Sequence, residues 1–135
     1  MSTWRRIGLE LFYDLRFQFN EKDDSIYSLL VFLNDRLIEA HINNDLREQD
    51  KIYNYAEWCY NQYRRSHYIN NAICVGFYEH LVQNEITRKA IPYKIKPEIF
   101  EAVMTLFEWM LRKDEGCYQE LVEEYNRINN TNFEC

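Results

Sequence analysis

The segment from Pro97 to Arg112, PEIFEAVMTLFEWMLR, decides the fold class of this chain. Its apolar side chains recur at the three- and four-residue spacing of an α-helix and cover most of the helix circumference. Pro97 fits the first helical turn, where a backbone amide has no partner within the helix. A helix that is apolar on most sides is predicted to lie largely buried among other helices. The remaining polar line is thin: Glu98, Glu101, Thr105, Glu108 and Arg112.

The same periodicity predicts helices along the rest of the chain. The six main segments are about 4–19, 25–42, 46–65, 68–83, 97–112 and 117–129, with a short helix in 84–91 that breaks at Pro92. Only three Gly and two Pro occur, which disfavours a turn-rich β-sandwich or barrel. We therefore predict one all-α domain over residues 1–135, built either as an irregular bundle or as a short stack of antiparallel helices.

The sequence predicts how two of the helices pack against their neighbours. The first helix is expected to bury one apolar face made of Trp4, Ile7, Leu11, Leu15 and Phe19. The fourth contains Gly76 among apolar neighbours. Glycine costs about 1 kcal/mol relative to alanine inside a helix. Gly76 is therefore expected to mark the close approach of another helix.

The cysteine spacing and the hydropathy of the sequence indicate the cellular environment that is expected for the protein. Cys59, Cys74, Cys117 and Cys135 are widely spaced and form no CxxC pair, so a zinc site is not predicted. Cys59 and Cys74 lie among apolar residues and are expected to be buried free thiols in a reducing cytoplasm. No apolar run approaches the roughly 18 residues of a membrane span. The N-terminal stretch also lacks the uncharged apolar core of a secretory signal.

The charge is distributed unevenly along the sequence. Residues 1–97 contain thirteen acidic and thirteen basic residues, whereas residues 98–135 contain nine acidic and three basic ones. The whole net charge of −6 therefore belongs to the last 38 residues. A one-sided negative field attracts basic partners and repels nucleic acid and anionic membranes. Neither of those two partners is predicted.

Catalytic and cofactor motifs are not found in the sequence, so no catalytic residue, metal ligand or cofactor is predicted. The mid-helix glutamates Glu57, Glu79 and Glu108 lack the Glu-x-x-His motif that a carboxylate-bridged metal pair requires. The basic and aromatic run at 60–68 could stack on RNA. A nucleic-acid-binding domain is normally strongly basic, and this chain has a pI near 5.1.

The last helix is the best functional candidate in the sequence. With Tyr118, Leu121, Val122, Tyr125 and Ile128 facing inward, its glutamates lie on the outer face. Glu123–Arg127 is the one ion pair expected there, and Glu120–Glu124 is a repulsive pair. Such a cluster is either a solvated face or a docking surface for a basic protein. The predicted partner-binding residues are Glu115, Tyr118, Glu120, Glu123 and Glu124.

A resemblance to a known group of proteins rests on the central part of the chain. Its elements are a Leu-rich helix that ends near Asn43–Asp45, then IYNYAE at 52–57 and NNAICVGFYEHL at 70–81. This pattern resembles small, acidic, all-helical bacterial proteins, several of which are immunity proteins encoded beside polymorphic or contact-dependent toxins. The resemblance implies a cytoplasmic protein that binds and neutralises a cognate toxin. It implies no catalytic residues.

The sequence and the resemblance together predict a non-enzymatic inhibitor that binds a basic toxin through its acidic surface. The alternative is a helical scaffold or adaptor that self-assembles, for example as a homodimer, or joins a larger complex. A helix-bundle enzyme is the third option.

Overall fold

A computed structural model describes residues 2–20, 22 and 24–135, and within these ranges the chain is helical without strands. The all-α prediction is confirmed. None of the helices in this part is both long enough and apolar enough to cross a membrane. The α-helices are α1 Thr3–Leu11, α2 Ile26–Ile42, α3 Leu46–Tyr60, α4 His67–Gly76, α5 Glu85–Lys94, α6 Pro97–Met110 and α7 Cys117–Asn129. Two short 3₁₀ helices, Tyr13–Phe17 and Tyr78–Val82, follow α1 and α4.

The residues cluster into two compact units, one extending to Phe77 and the other running from Tyr78 to Cys135. The first unit contains α1–α4 and the second contains α5–α7. Each unit is described by itself below. The assignment of residues 1–135 to one domain stays a prediction.

Gly8 sets how closely α1 packs in the first unit. A Cβ atom at Gly8 would lie 2.7 Å from Leu29 Cδ2 on α2 and 3.0 Å from Tyr55 Oη on α3. The buried hydroxyl of Tyr55 donates a 2.7 Å hydrogen bond to the carbonyl of Trp4. The missing side chain at Gly8 therefore lets α1 contact both neighbouring helices at one point.

The predicted buried face of the first helix is partly wrong. The helix ends at Leu11 rather than near Phe19, and Phe12 has φ −113° and ψ 63°, outside the helical region. Gly8 and Phe12 are buried instead, whereas Ile7 is half-buried and Leu11 is 37% exposed. The close contact at Gly8 turns that side of α1 inward and leaves Ile7 and Leu11 at the surface.

The prediction for Gly76 is confirmed. A Cβ atom there would lie 2.9 Å from Leu30 Cδ1 and 3.2 Å from Tyr27 Cδ1, both on α2. The side-chain amide of Asn34 also donates to the carbonyl of Gly76 at 2.9 Å. The close approach and the hydrogen bond together fix the end of α4 against α2.

The second unit is built around a stack of aromatic rings. Phe100 on α6 lies parallel to Tyr125 on α7, with ring centroids 3.7 Å apart and an interplanar angle of 8°. Phe107 and Phe133 pack on the same cluster. The buried positions predicted for Leu121, Val122 and Tyr125 are confirmed. Tyr118 and Ile128 are only half-buried.

The predicted break at Pro92 is wrong, because α5 continues through this residue to Lys94. Proline has no N–H group, so the Arg88 carbonyl loses its donor within the helix, but α5 continues for only two residues beyond Pro92. The Ile95 amide still donates to the Ile91 carbonyl at 3.0 Å, so the last turn stays closed. The side-chain amide of Asn129 on α7 donates to the Pro92 carbonyl at 2.8 Å.

Candidate protein-binding surface

The candidate surface lies on the second unit, where α5 and α7 are fastened to each other near their C-terminal ends. The hydroxyl of Tyr125 on α7 donates to the carbonyl of Ile95, the C-cap of α5, at 2.6 Å. Together with the bond from Asn129 to Pro92, this gives α5 two fixed points on α7. At the other end of α5, Asn84 Oδ1 accepts from the Ile86 amide at 2.8 Å and caps the helix.

A groove of about 320 Å³ lies along this pair of helices and is called the α5–α7 groove here. Each helix contributes four residues, and both contribute polar as well as apolar side chains. Tyr93 is the aromatic residue of the lining and is 63% exposed. The lining consists of Arg88, Lys89, Pro92 and Tyr93 from α5 and Cys117, Glu120, Leu121 and Glu124 from α7.

The charges in the α5–α7 groove are mixed rather than purely acidic. Lys89 pairs with Glu85 at 2.8 Å, and this hydrogen-bonded contact raises the pKa of Lys89, with a smaller contribution from the charge of Glu120. Arg88 Nη1 donates to the carbonyl of Val82 at 3.2 Å. The acidic side of the groove on α7 therefore faces a basic side on α5.

The predicted ion pair on α7 is wrong. Arg127 pairs with Glu124, three residues before it, with Nε 3.1 Å from Oε2. Glu123 instead accepts a 2.9 Å hydrogen bond from the side-chain amide of Gln119. The contact with Arg127 lowers the pKa of Glu124 and keeps its carboxylate ionised. The positive charge of Arg127 thus offsets the negative charge of Glu124, a residue of the groove, and not that of the outward-facing Glu123.

The structure brings together only two of the five predicted binding residues, Glu120 and Glu124, in the α5–α7 groove. Glu115 is exposed and precedes Gly116, the N-cap of α7, whose φ is +81°. Glu123 is exposed and does not line the groove. Only part of the predicted set, Glu120 and Glu124, therefore borders the groove.

Tyr118 and Tyr125, the two tyrosines of α7, differ in exposure. Tyr125 is fully buried and hydrogen-bonded, so it is not available for a partner. Tyr118 is half-buried and does not line the groove. Burial, with a smaller contribution from the charge of Glu108, raises the pKa of Tyr118.

Sequence reasoning missed Tyr93, because it placed this residue after a helix break. The signal is the spacing of Arg88, Lys89, Pro92 and Tyr93, which repeats every four residues and lies on one helical face. Extending α5 through Pro92 would have placed Tyr93 beside the basic pair. Tyrosine, tryptophan and arginine are the residue types that most often contribute strongly to the binding energy of protein interfaces.

Within the described ranges, no three His, Cys, Asp or Glu side chains form a group that could hold a metal ion. All four cysteines are free thiols. Cys59 is buried as predicted, whereas Cys74 is only half-buried. Burial raises the pKa of the Cys59 thiol to about 12 and that of the Cys74 thiol to about 11, so both stay protonated near neutral pH.

One family model matches residues 7–112, more than three quarters of the chain. The chain belongs to the DUF7674 family. This family is described as a domain of unknown function. Neither the curated proteins nor the solved structures include a significant match. The resemblance to immunity proteins therefore stays a prediction.

The DUF7674 match includes only one of the two helices that form the α5–α7 groove. It covers the α5 side of the groove, including Tyr93, and ends at Arg112 before α7 begins. The acidic residues of α7 lie outside the matched residues. The membership therefore assigns no role to Glu120 or Glu124.

Proposed function

We propose that this protein is a non-enzymatic inhibitor that binds a basic protein toxin in the bacterial cytoplasm, as an immunity protein does. The observation that carries the proposal is the α5–α7 groove, in which an exposed tyrosine lies beside the glutamates Glu120 and Glu124. A protein–protein interface of this kind needs a large side chain, the anchor, that can insert into the partner, and charges that favour one partner over others. Tyr93 supplies the anchor, and Glu120 and Glu124 supply the charges.

The exposed acids outside the groove add to this selection. Glu115 and Glu123 are exposed on the same helix or at its start. With Glu120 they form a negative field whose long-range attraction acts on a basic partner before contact. The bound partner also neutralises glutamates that repel one another in the free protein. That relief of repulsion favours the complex.

The test is co-expression of the protein with the product of the gene directly upstream. The proposal expects the neighbour to stop growth when expressed alone, and to be captured and silenced when expressed with this protein. A neighbour that is harmless, or that kills and is not bound, contradicts the proposal.

A matched pair of charge-reversal variants tests the surface itself. Glu120→Lys/Glu123→Lys changes the candidate surface, and Asp35→Lys/Glu39→Lys changes two exposed acids on α2. Each variant changes the net charge from −6 to −2, so only the location differs. We expect the first variant to slow association with the toxin by about 10-fold or more at low salt, and the second by less than about 2-fold. Equal effects would contradict a binding role for α7.

A second candidate function, a self-assembling adaptor, is supported by an apolar surface on the first unit. Val31, Tyr68 and Val75 are 61%, 55% and 38% exposed, and Tyr27 packs edge-on against Tyr68 with ring centroids 6.3 Å apart. Exposed apolar patches often mark association sites. A homodimer in sedimentation that Val31→Lys disrupts, combined with a harmless upstream neighbour, would favour this function.

A further inference from the structure

The first unit has a long surface groove between α1 and α3, made of two adjoining cavities. One cavity has a volume of about 650 Å³ and the other of about 500 Å³. Both are lined by Ile7 of α1 and Trp58 of α3, so they form one continuous depression, called the α1–α3 groove here. The groove runs along α3 from Arg47 in its first turn to Arg65 beyond its end.

The floor of the α1–α3 groove is apolar and well supported. Ile7 and Leu11 form one side, at the positions that the closely packed Gly8 leaves at the surface. Trp58 lies on the other side and stacks on Tyr55, with ring centroids 6.1 Å apart and an interplanar angle of 17°. The hydrogen bond from Tyr55 to Trp4 holds this stack against α1. Such a supported apolar floor loses little conformational entropy when a partner binds.

The rim of this groove is basic in a protein that is acidic overall. Arg47, Lys51 and Arg65 line it together with a single carboxylate, that of Asp50. Glu48 lies outside the lining and is shared between Lys51, at 3.7 Å, and Arg36, at 2.5 Å. The lining therefore carries more positive than negative charge, whereas the chain has a net charge of −6.

We propose that the α1–α3 groove binds an acidic amphipathic helix of a partner protein. Recognition of this kind places apolar side chains three and four residues apart on a groove floor. The fifteen residues of α3 span about 22 Å at 1.5 Å per residue, enough for about four turns of a partner helix. Acidic side chains flanking the apolar stripe would face Arg47, Lys51 and Arg65.

The composition of the groove favours a protein helix over nucleic acid. A single-stranded nucleic acid requires a series of aromatic platforms along a strongly positive track. Here Trp4 and Tyr55 are buried, which leaves Trp58 as the half-exposed aromatic ring of the lining, beside the aliphatic side chains of Ile7 and Leu11. Asp50 also interrupts the basic rim.

This proposal goes beyond the α5–α7 groove, because it concerns the other unit and a partner of opposite charge. The probe is a labelled peptide of about 16 residues with Leu at every third or fourth position and Glu at most others. A control peptide carries Lys in place of Glu. Binding of both to the full chain is measured by fluorescence anisotropy at low and high salt.

Two matched pairs of variants locate the binding site. Arg47→Glu/Arg65→Glu reverses the groove rim, and Arg112→Glu/Lys113→Glu makes the same charge change at exposed residues of the second unit. Leu11→Ser alters the floor, and Ile86→Ser alters a residue of similar exposure on α5, 41% against 37%. Far-UV circular dichroism and thermal unfolding show that each variant is folded.

We expect the acidic peptide to bind at least about 10-fold more tightly than the basic one, with the difference shrinking at high salt. Arg47→Glu/Arg65→Glu should weaken binding at least about 10-fold and Leu11→Ser about 5-fold, while both controls stay within about 2-fold. The proposal is overturned if the basic peptide binds as well or neither peptide binds. It is also overturned if the rim variant has no effect, or if a single-stranded oligonucleotide displaces the acidic peptide. A homodimer that Leu11→Ser dissociates would assign the groove to a second copy and overturn it as well.

Discussion

Removal of the Tyr125 hydroxyl tests both the attachment of α5 to α7 and the number of cooperative units in the chain. Tyr125→Phe keeps the ring that lies on Phe100 and deletes only the donor to the Ile95 carbonyl. Because Ile95 is the C-cap of α5, its carbonyl has no donor within the helix. The substitution therefore leaves a buried acceptor without this partner.

The expected cost follows from that geometry. An intramolecular hydrogen bond contributes about 1 kcal/mol, and an unsatisfied buried group raises the cost to between about 1 and 3 kcal/mol. We expect Tyr125→Phe to lower the free energy of unfolding by about 1.5–2 kcal/mol. If the unit of about 60 residues that contains it unfolds alone, each kcal/mol lowers its Tm by about 4–8 °C. Tyr55→Phe, whose acceptor Trp4 lies inside α1, should cost about 1 kcal/mol in the other unit.

The assay is urea unfolding followed by far-UV circular dichroism and by tryptophan fluorescence. One domain over residues 1–135 predicts a single transition, with the same midpoint for both probes, that both variants shift. Two transitions, each shifted by only one variant, would refute the single-domain prediction. Tyr118→Phe is the control and should cost less than about 0.5 kcal/mol, because this side chain is only half-buried. A Tyr125→Phe protein as stable as the parent would refute the account of the α5–α7 attachment.

Two further predictions concern packing and pH. Gly8→Ala gains about 1 kcal/mol of helix propensity. The added Cβ clashes with the fully buried Leu29, however, and this overpacking costs about 1–3 kcal/mol. Urea unfolding should therefore show a net loss of stability of about 1 kcal/mol. A clear gain in stability would contradict this packing. The pKa of Cys59 and of Cys74 is raised from 9.0 to about 12 and about 11, so above pH 9 these thiols ionise in the unfolded chain before they ionise in the folded one. Stability should therefore fall as the pH rises from about 9 to 10, by up to about 1.4 kcal/mol per pH unit for each thiol, and Cys59→Ala should reduce that slope. An unchanged slope in Cys59→Ala would contradict the burial of this thiol.

Long, strongly periodic segments were predictable from the sequence because one dominant apolar face decides their packing. The buried positions of α7 follow from its period alone, and Gly76 was identified by the absence of any local reason for glycine inside an apolar helix. Asp45 is likewise a residue type that favours the start of a helix, and its side chain accepts from the Glu48 amide at 3.1 Å and caps α3. In these places local preference and tertiary packing agree.

The errors occur where a long-range contact overrides the local pattern. Nothing near Leu11 in the sequence ends the helix, and the buried side of α1 is decided by Leu29 and Tyr55, which are distant along the chain. Pro92 is a helix breaker by local rules, yet the last turn of α5 is held by Asn129. Both errors affect candidate surfaces, since the first hid the α1–α3 groove and the second hid Tyr93. The candidate site was therefore predicted only on its α7 side.

Because the α5–α7 groove carries both positive and negative charges, the residues inside and outside it are expected to affect different steps of binding. Arg88 and Lys89 offset Glu120 and Glu124 locally, so long-range attraction depends more on exposed acids outside the groove, such as Glu123. Rim charges mainly set association rates, whereas a buried anchor mainly sets dissociation rates. With a captured basic partner, Glu123→Lys should therefore slow association at low salt and leave dissociation nearly unchanged, and Tyr93→Ala should speed dissociation by about 10-fold or more. Stopped-flow measurements at two salt concentrations separate the two rates. A Tyr93→Ala protein that releases its partner no faster than the parent would show that the anchor lies elsewhere.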